Sequence, residues 1–221
     1  MKSLIRLLSA MKEDILEQLV DDYLQAKGYF TQHNLKFKPG VGCVGYDAPQ
    51  DCVPSDIDVI GFHPRLGPPD NVWVVGCKSW QNGFEVRQIL DAIDRNKKVG
   101  GKEAWRQFRE LSKDKWAAAF MDAVEKATGT RRFTYVTVVT LLSGGDSAKA
   151  TWTKRADFSA RLEGNPIVLL SLAEMLEEVF PKLGTTVASS QFSRSLQLIK
   201  ASGWQMKIVK TSKSRSLSNK A

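Results

Sequence analysis

The chain has 221 residues, 43% hydrophobic and 25% charged, a globular composition long enough for one α/β domain with embellishments or a domain with a small appendage. Its net charge of +8 favours an anionic partner, nucleic acid before an acidic membrane surface. Three irregularly spaced cysteines argue against a disulfide scaffold or a structural zinc site, and no apolar run is as long as a membrane span. We therefore expect a cytoplasmic protein with no membrane partner.

The first half of the chain predicts a helix followed by three strands. Apolar residues at three- and four-residue spacing predict a helix over 12–27, and weak alternation predicts a strand or extended arm over 29–37. Residues 38–54 lack periodicity and contain several Gly and Pro, which indicates a loop. Short apolar runs predict strands over 57–62 and 72–77, and the Pro- and Gly-rich connection between them suits antiparallel pairing.

The second half predicts helices and strands in alternation. The predicted helices cover 84–99, 102–128 (one long helix or two shorter ones), 147–162, 171–180 and 192–202, and the predicted strands cover 133–142 and 166–170. An antiparallel start that passes into βαβ crossovers indicates an α/β fold with a central mixed sheet covered by helices. We expect one domain over 1–205 and a basic, loosely ordered tail over 206–221.

The two apolar strands of the first half carry charged residues that indicate chemistry. Asp58 lies within the first strand, and Lys78 follows the second strand directly. A charged residue at the end of a buried strand is costly unless it has a partner or a task. An acid that holds a divalent cation beside a lysine that orients water is typical of a hydrolytic metal site, and a structural ion pair is the alternative.

This arrangement resembles the PD-(D/E)XK nuclease superfamily, especially its Mrr-like and Holliday-junction-resolvase-like branches. The resemblance covers a core of about 12–142 and rests on a first helix with a glutamate, a strand with Asp, a strand ending in Lys, a helix and a further strand. It implies a restriction-endonuclease-like mixed sheet flanked by helices, with a helical insertion at about 100–130 and extra C-terminal helices. It also implies that Asp58 binds metal, that Lys78 is catalytic, and that Glu17 is the first-helix acid.

The chain departs from the family pattern at one position. The family usually has Glu, Asp or Gln two residues before the lysine, where this chain has Gly76. The missing ligand could come from the following helix, where Asp91 has the preferred spacing. The candidates on that helix are Glu85, Asp91 and Asp94. Alternatively, Glu17 and Asp58 hold the metal with waters and the Cys77 backbone carbonyl. The third alternative is an inactive site.

The resemblance implies hydrolysis of DNA phosphodiester bonds with Mg²⁺ or Mn²⁺ as cofactor. Lys78 would orient the attacking water or neutralise developing charge. Gln81 would contact a phosphate or the scissile strand, with ordinary loop polarity as the alternative. Trp80 would stack on a base or sugar, with packing as the alternative. Basic residues after the active-site strand are predicted to contact DNA phosphates, with a solvated surface as the alternative. They are Arg87, Arg95, Lys97, Lys98, Lys102 and Arg106.

The sequence thus predicts a Mg²⁺-dependent DNA endonuclease of prokaryotic or phage type. Cutting both strands commonly requires two active sites, which favours a homodimer. The main alternative is a catalytically inactive DNA-binding or assembly module that retains the nuclease fold. A nuclease subunit that depends on a partner for target recognition is a further alternative.

Overall fold

The computed structural model describes residues 15–80, 82–185 and 190–204, so Gln81 and the predicted tail over 206–221 lie outside the described residues. The strands are β1 (Phe30–Phe37), β2 (Ser55–Phe62), β3 (Val72–Lys78), β4 (Phe84–Glu85), β5 (Lys98–Val99), β6 (Lys102–Glu103), β7 (Thr134–Val139), β8 (Leu142–Ser143) and β9 (Ile167–Ser171). The α-helices are α1 (Ile15–Ala26), α2 (Ala48–Asp51), α3 (Val86–Asp94), α4 (Arg109–Ser112), α5 (Asp114–Thr128), α6 (Gly145–Thr153), α7 (Ala156–Arg161), α8 (Leu172–Val179) and α9 (Gln191–Ala201).

Five strands form a central sheet in the order β1-β2-β3-β7-β9. The pairs β1–β2 and β2–β3 are antiparallel, whereas β3–β7 and β7–β9 are parallel. The short connection between β2 and β3 lets these two strands pair antiparallel. The helices between β3 and β7 supply the longer crossover that a parallel pair requires. The prediction of an α/β fold with a mixed central sheet flanked by helices is confirmed.

The two faces of the sheet carry separate apolar clusters. On one face, called here the α1 face, Val20 and Leu24 of α1 and Met175 of α8 pack with strand residues such as Val75. The other face, called the α5 face, is covered by the helices between β3 and β9. Its large buried aromatic residues include Trp105, Phe108, Trp116, Phe120 and Trp152. Burial on both faces explains why the central strands are almost continuously apolar in sequence.

The helix predicted over 84–99 is wrong in its second half. α3 ends at Asp94, and β5 then pairs antiparallel with β6. Gly100 and Gly101 between these strands have φ of 61° and 81°, the positive values that a two-residue hairpin turn requires. The two glycines therefore form the turn of a hairpin rather than a simple break between helices.

The segment predicted as helical over 102–128 is more broken than the sequence pattern indicates. It begins with β6 and continues as a 3₁₀ helix over Ala104–Gln107, the four-residue α4 and the long α5. Phe108 precedes α4 and Leu111 lies within it, and both side chains are fully buried. These two apolar residues hold α4 against the α5 face of the sheet.

The predicted loop over 38–54 contains α2 and is anchored to α5 by one buried acid. Asp51 accepts hydrogen bonds from Trp116 Nε1 at 2.9 Å, from Lys115 Nζ at 2.6 Å and from the Asp47 backbone N–H at 2.7 Å. Burial opposes ionisation, but these bonds, led by the one from Lys115, hold the pKa of Asp51 below its usual value. The anchor positions the chain just before it enters β2.

The remaining elements differ from prediction mainly in their ends. The strand predicted over 133–142 ends at Val139, and the helix predicted over 147–162 is divided into α6 and α7. Ser171 caps α8 as predicted, and Glu174 completes a capping box. No helix among the described residues is both long enough and apolar enough to span a membrane.

Candidate active site

A separation between β2 and β3 creates the candidate site. The paired register of the two strands ends at Val59 opposite Val75. Beyond this pair, the Asp58 carboxylate accepts a hydrogen bond from the Cys77 backbone N–H at 2.5 Å. An unpaired backbone N–H inside a sheet is costly, so the Asp58 side chain replaces the partner that a continued strand pair would provide.

Asp58 and Lys78 lie on the same face of the sheet. Ile60 and Val74 are paired across β2 and β3, and both belong to the core of the α5 face. Because side chains alternate along a strand, Asp58 shares this face with Ile60, and Gly76 and Lys78 share it with Val74. The structure therefore brings together the predicted metal-binding acid and the predicted catalytic lysine.

Backbone and ring contacts position the Lys78 ammonium. Its Nζ donates a hydrogen bond to the Cys77 carbonyl at 3.1 Å and lies 5.4 Å from the centroid of the Phe108 ring. Cys77 thus serves both neighbours through its backbone, with the N–H bonded to Asp58 and the carbonyl bonded to Lys78. The predicted carbonyl ligand therefore faces the site.

Asp58 and Lys78 line an open cleft of about 780 Å³ beside the β5–β6 hairpin. The basic residues of the cleft wall are Lys78, Lys98, Lys102, Arg106 and Arg109, and the acidic residues are Asp56, Asp58 and Glu103. Two of the acids already have basic partners, because Asp56 pairs with Lys36 at 2.6 Å and Glu103 pairs with Arg106 at 2.6 Å. An excess of positive charge in a cleft attracts an anionic chain.

Glu110 of α4 does not line the cleft, but it is an acid that interacts with Lys78 and Asp58 and that the sequence did not reveal. Its Oε1 accepts a short hydrogen bond from the Tyr135 hydroxyl of β7. Burial raises the pKa of Glu110, the Tyr135 hydrogen bond and the charge of Lys78 oppose this rise, and the charge of Asp58 adds to it. The carboxyl group of Glu110 is therefore close enough to interact electrostatically with both predicted residues.

The space beside Gly76 points to the same cluster. A Cβ at this position would stand 3.6 Å from the Tyr135 hydroxyl oxygen and 3.9 Å from Lys78 Nζ, both ordinary contact distances. A side chain on β3 at this position would therefore extend toward the lysine and the tyrosine that interact with Glu110. Because position 76 carries no side chain, there is space beside the Tyr135 hydroxyl to which Glu110 is hydrogen-bonded.

The other predicted acids are placed elsewhere. Glu17 lies on α1, whose apolar side packs on the α1 face, and it is not among the residues that line the cleft. Asp91 also lies outside the cleft lining and pairs with Arg95 at 2.7 Å and Lys97 at 2.8 Å. The hydrogen bond from Lys97 leads the contributions that lower the pKa of Asp91. Neither acid is therefore among the described residues that line the cleft with Asp58 and Lys78.

The predicted DNA-contacting residues divide into two groups. Lys98, Lys102 and Arg106 line the cleft, whereas Arg87, Arg95 and Lys97 do not. Trp80 is partly buried, with its ring centroid 5.5 Å from that of Phe84 and 6.2 Å from that of Phe108. These contacts favour the packing alternative for Trp80.

The donor atoms at the site suit a hard divalent cation. Within the described residues, no group of three His, Cys, Asp or Glu side chains is arranged to hold a metal. Asp58 and Glu110 instead provide two carboxylates, and Cys77 provides a backbone carbonyl. Mg²⁺ keeps several waters and is commonly bound through one or two carboxylates, so these residues fit it.

Comparison of the chain with protein-family models, curated proteins and solved structures found no match. The family resemblance therefore stays a prediction, and the functional argument depends on the geometry of the site. Two carboxylates, an ammonium and a basic cleft have the chemistry needed for metal-assisted hydrolysis of an anionic backbone.

Proposed function

We propose that the chain is a Mg²⁺-dependent DNA endonuclease with a restriction-endonuclease-like fold and a PD-(D/E)XK-type site. The observation that carries this proposal is the convergence of Asp58 and Lys78 on one face of the sheet, where β2 and β3 separate into a basic cleft. The order of one helix, three antiparallel strands, helices and a parallel strand supports it, because this is the order that the resemblance implies.

Each residue of the site has a defined task under this proposal. Asp58, fixed by the Cys77 N–H, and the Cys77 carbonyl would hold the metal ion. Bound there, Mg²⁺ supplies Lewis acidity toward the phosphate and an activated water. The Lys78 ammonium, held by the Cys77 carbonyl and the Phe108 ring, would donate hydrogen bonds to the attacking water or to the charge that develops on the phosphate.

The cleft supports DNA as the substrate. Lys98 and Lys102 stand on the two strands of the β5–β6 hairpin and line the same cleft as Asp58 and Lys78. Their charges would position a phosphate backbone without reading its sequence. Arg109 contributes a further positive charge, and its guanidinium donates a hydrogen bond to the Val53 carbonyl at 2.9 Å.

A catalytically inactive DNA-binding or assembly module is the second candidate. It is favoured by the absence of an acid at Gly76 and of a three-residue metal cluster among the described side chains. In such a module the basic cleft would still bind DNA, and Asp58 and Lys78 would only stabilise the fold.

Cleavage of supercoiled plasmid and branched DNA with Mg²⁺ or Mn²⁺, compared with EDTA, separates the two candidates. We expect metal-dependent cutting that falls about 10²-fold or more in Lys78→Met, because a charge-stabilising group is lost while the apolar stem of the side chain is retained. Lys126→Met, on the exposed side of α5, is the matched control and should cut normally. DNA binding without cutting by the unaltered chain would establish the inactive module.

A further inference from the structure

We propose that Glu110 supplies the metal-binding carboxylate that position 76 of β3 lacks, and that Tyr135 is the positioning residue that holds it. This inference rests on the proposed nuclease function and adds a residue to its site. It also replaces Asp91, the acid on the helix after β3 that has the preferred spacing for a substitute ligand.

The first argument is spatial. A strand acid at position 76 would start 3.6 Å from the Tyr135 hydroxyl oxygen and 3.9 Å from Lys78 Nζ. Glu110 contacts that same hydroxyl group and interacts with that same lysine. An acid at position 76 of β3 and Glu110 of α4 would therefore both reach the space beside the Tyr135 hydroxyl and Lys78. The glycine leaves the space open, and the glutamate brings a carboxylate to its edge.

The second argument is that α4 is built to hold this position. The helix has only four residues, yet Phe108 before it and Leu111 within it are completely buried in the core of the α5 face. Arg109 is anchored separately, because its guanidinium bonds to the Val53 carbonyl and lies 4.3 Å from the centroid of the Trp116 ring. With its neighbours fixed in this way, Glu110 has little freedom to leave the site.

The third argument is electrostatic. A buried carboxylate is costly unless it is paired, and the Tyr135 hydroxyl is a neutral donor. Lys78 is one positive charge that acts on Glu110 and shares the cleft with Asp58. Arg109 is a second positive charge that acts on Glu110, but neither base forms an ion pair with it among the described side chains, so a divalent cation would be a closer charge partner.

Four variants and two measurements test the assignment. Mn²⁺ binding is measured by calorimetry in the absence of DNA, and cleavage is measured separately. We expect Glu110→Gln to weaken Mn²⁺ binding about 10- to 100-fold and to reduce cleavage strongly, while Tyr135→Phe weakens binding about ten-fold. Adding Gly76→Glu to Glu110→Gln should restore both, because the acid then comes from β3. Asp91→Asn is the matched control and should bind Mn²⁺ normally.

The outcomes distinguish this inference from the proposed function. Unchanged Mn²⁺ affinity in Glu110→Gln overturns the assignment, whether or not the chain cuts DNA. If Mn²⁺ affinity depends on Glu110 but the unaltered chain does not cleave any DNA tested, the assignment stands and the nuclease proposal fails. Circular dichroism of each variant confirms folding, and Glu110→Gln keeps an oxygen that can accept the Tyr135 hydrogen bond. Restored binding in the double variant excludes a purely structural role.

Discussion

Cys77 serves the candidate site through its backbone rather than through its thiol. The N–H bonds to Asp58 and the carbonyl bonds to Lys78, while the side chain is buried in the cluster of the α1 face with Val75. The strand alternation that places Gly76 and Lys78 on one face requires the residue between them to point to the other. A residue that looks reactive in sequence is thus an apolar core residue that presents its backbone to the site.

Cys77→Ala is therefore expected to leave cleavage and Mn²⁺ binding unchanged. The variant keeps both backbone groups and loses only a buried sulfur, so the free energy of unfolding should fall by about 1 kcal/mol. Urea unfolding and the plasmid assay measure the two effects. Cys52→Ala, at an exposed position, is the control for stability. A loss of cleavage of about ten-fold or more would show that the thiol takes part in the chemistry.

Single residues also show what the sequence reveals and what it conceals. Asp58 and Lys78 were predictable because each charge interrupts an apolar strand. Glu110 was not, because it lies in a segment that reads as helix and its partner Tyr135 is 25 residues away. Periodicity reports which face of an element is apolar, not which side chains meet in the fold. The available signal was local, namely an acid between the apolar residues Phe108 and Leu111.

Among the elements, the loop over 38–54 and α5 depend on each other through Asp51. We expect Asp51→Ala to lower the free energy of unfolding by about 3 kcal/mol, because it leaves the Trp116 indole without its acceptor and Lys115 with only its bond to the Gly45 carbonyl. Chemical denaturation measures this change. Asp122→Ala removes an exposed partner of Arg131 and should change stability by less than about 0.5 kcal/mol. Equal effects of the two variants would contradict the anchoring role.

The contact between α1 and α8 should give the protein a defined acid sensitivity. The hydrogen bond from Tyr23, assisted by Lys27, lowers the pKa of Glu178 to about 2. A carboxyl group with a lowered pKa stabilises the folded state above its unfolded value of 4.5, and this contribution disappears as the pH falls through about 2. The stability difference between the unaltered chain and Glu178→Gln should therefore shrink across that window.

Urea unfolding between about pH 2 and pH 6 measures this difference. Glu177→Gln, on an exposed position of the same helix, is the control and should follow the unaltered chain at every pH. A difference between Glu178→Gln and the unaltered chain that is constant with pH would show that the carboxyl group does not contribute through its ionisation.

The elements that were predicted well are those whose own apolar pattern determines them. β2, β3 and α1 have such patterns, and Ser171 marks the start of α8 through its capping box. The β5–β6 hairpin was missed because its two-residue strands are too short to show alternation. Its turn was visible in the sequence as Gly-Gly, but the helical pattern beside it meant that the two glycines could also be a break between helices. The sequence left open one long helix or two shorter ones over 102–128, and it did not place the break at Phe108, because tertiary burial there overrides the helical preference of its neighbours.

At the scale of the whole molecule, the site lies where two kinds of pairing meet. β3 is the last strand of the antiparallel group and the first strand of the parallel group. Its antiparallel partner β2 contributes Asp58, and its parallel partner β7 contributes Tyr135. The order of elements in the sequence was sufficient to predict a mixed sheet, because connection length largely decides between the two kinds of pairing.

Under the proposed function, the distribution of charge predicts how DNA binding would respond to salt. Each phosphate contact lowers log K by about 0.9 per decade of salt concentration, so Lys98→Gln and Lys102→Gln should each reduce the slope by about 1. Fluorescence anisotropy with a labelled duplex at several salt concentrations measures the slope. Lys126→Gln, away from the cleft, should leave the slope unchanged. Equal slopes for all three variants would show that DNA does not follow the hairpin.

The side chains of the proposed site come from β2, β3, α4 and β7, so most of the domain must be complete before they meet. A chain still emerging from the ribosome can present Asp58 and Lys78 without the Tyr135 strand that completes the arrangement. Because domains generally fold as units, hydrolytic capacity would arise only after β7 and the rest of the sheet have been synthesised and have folded. Under the proposed function, a product truncated before β7 would lack Tyr135 and would not cleave DNA.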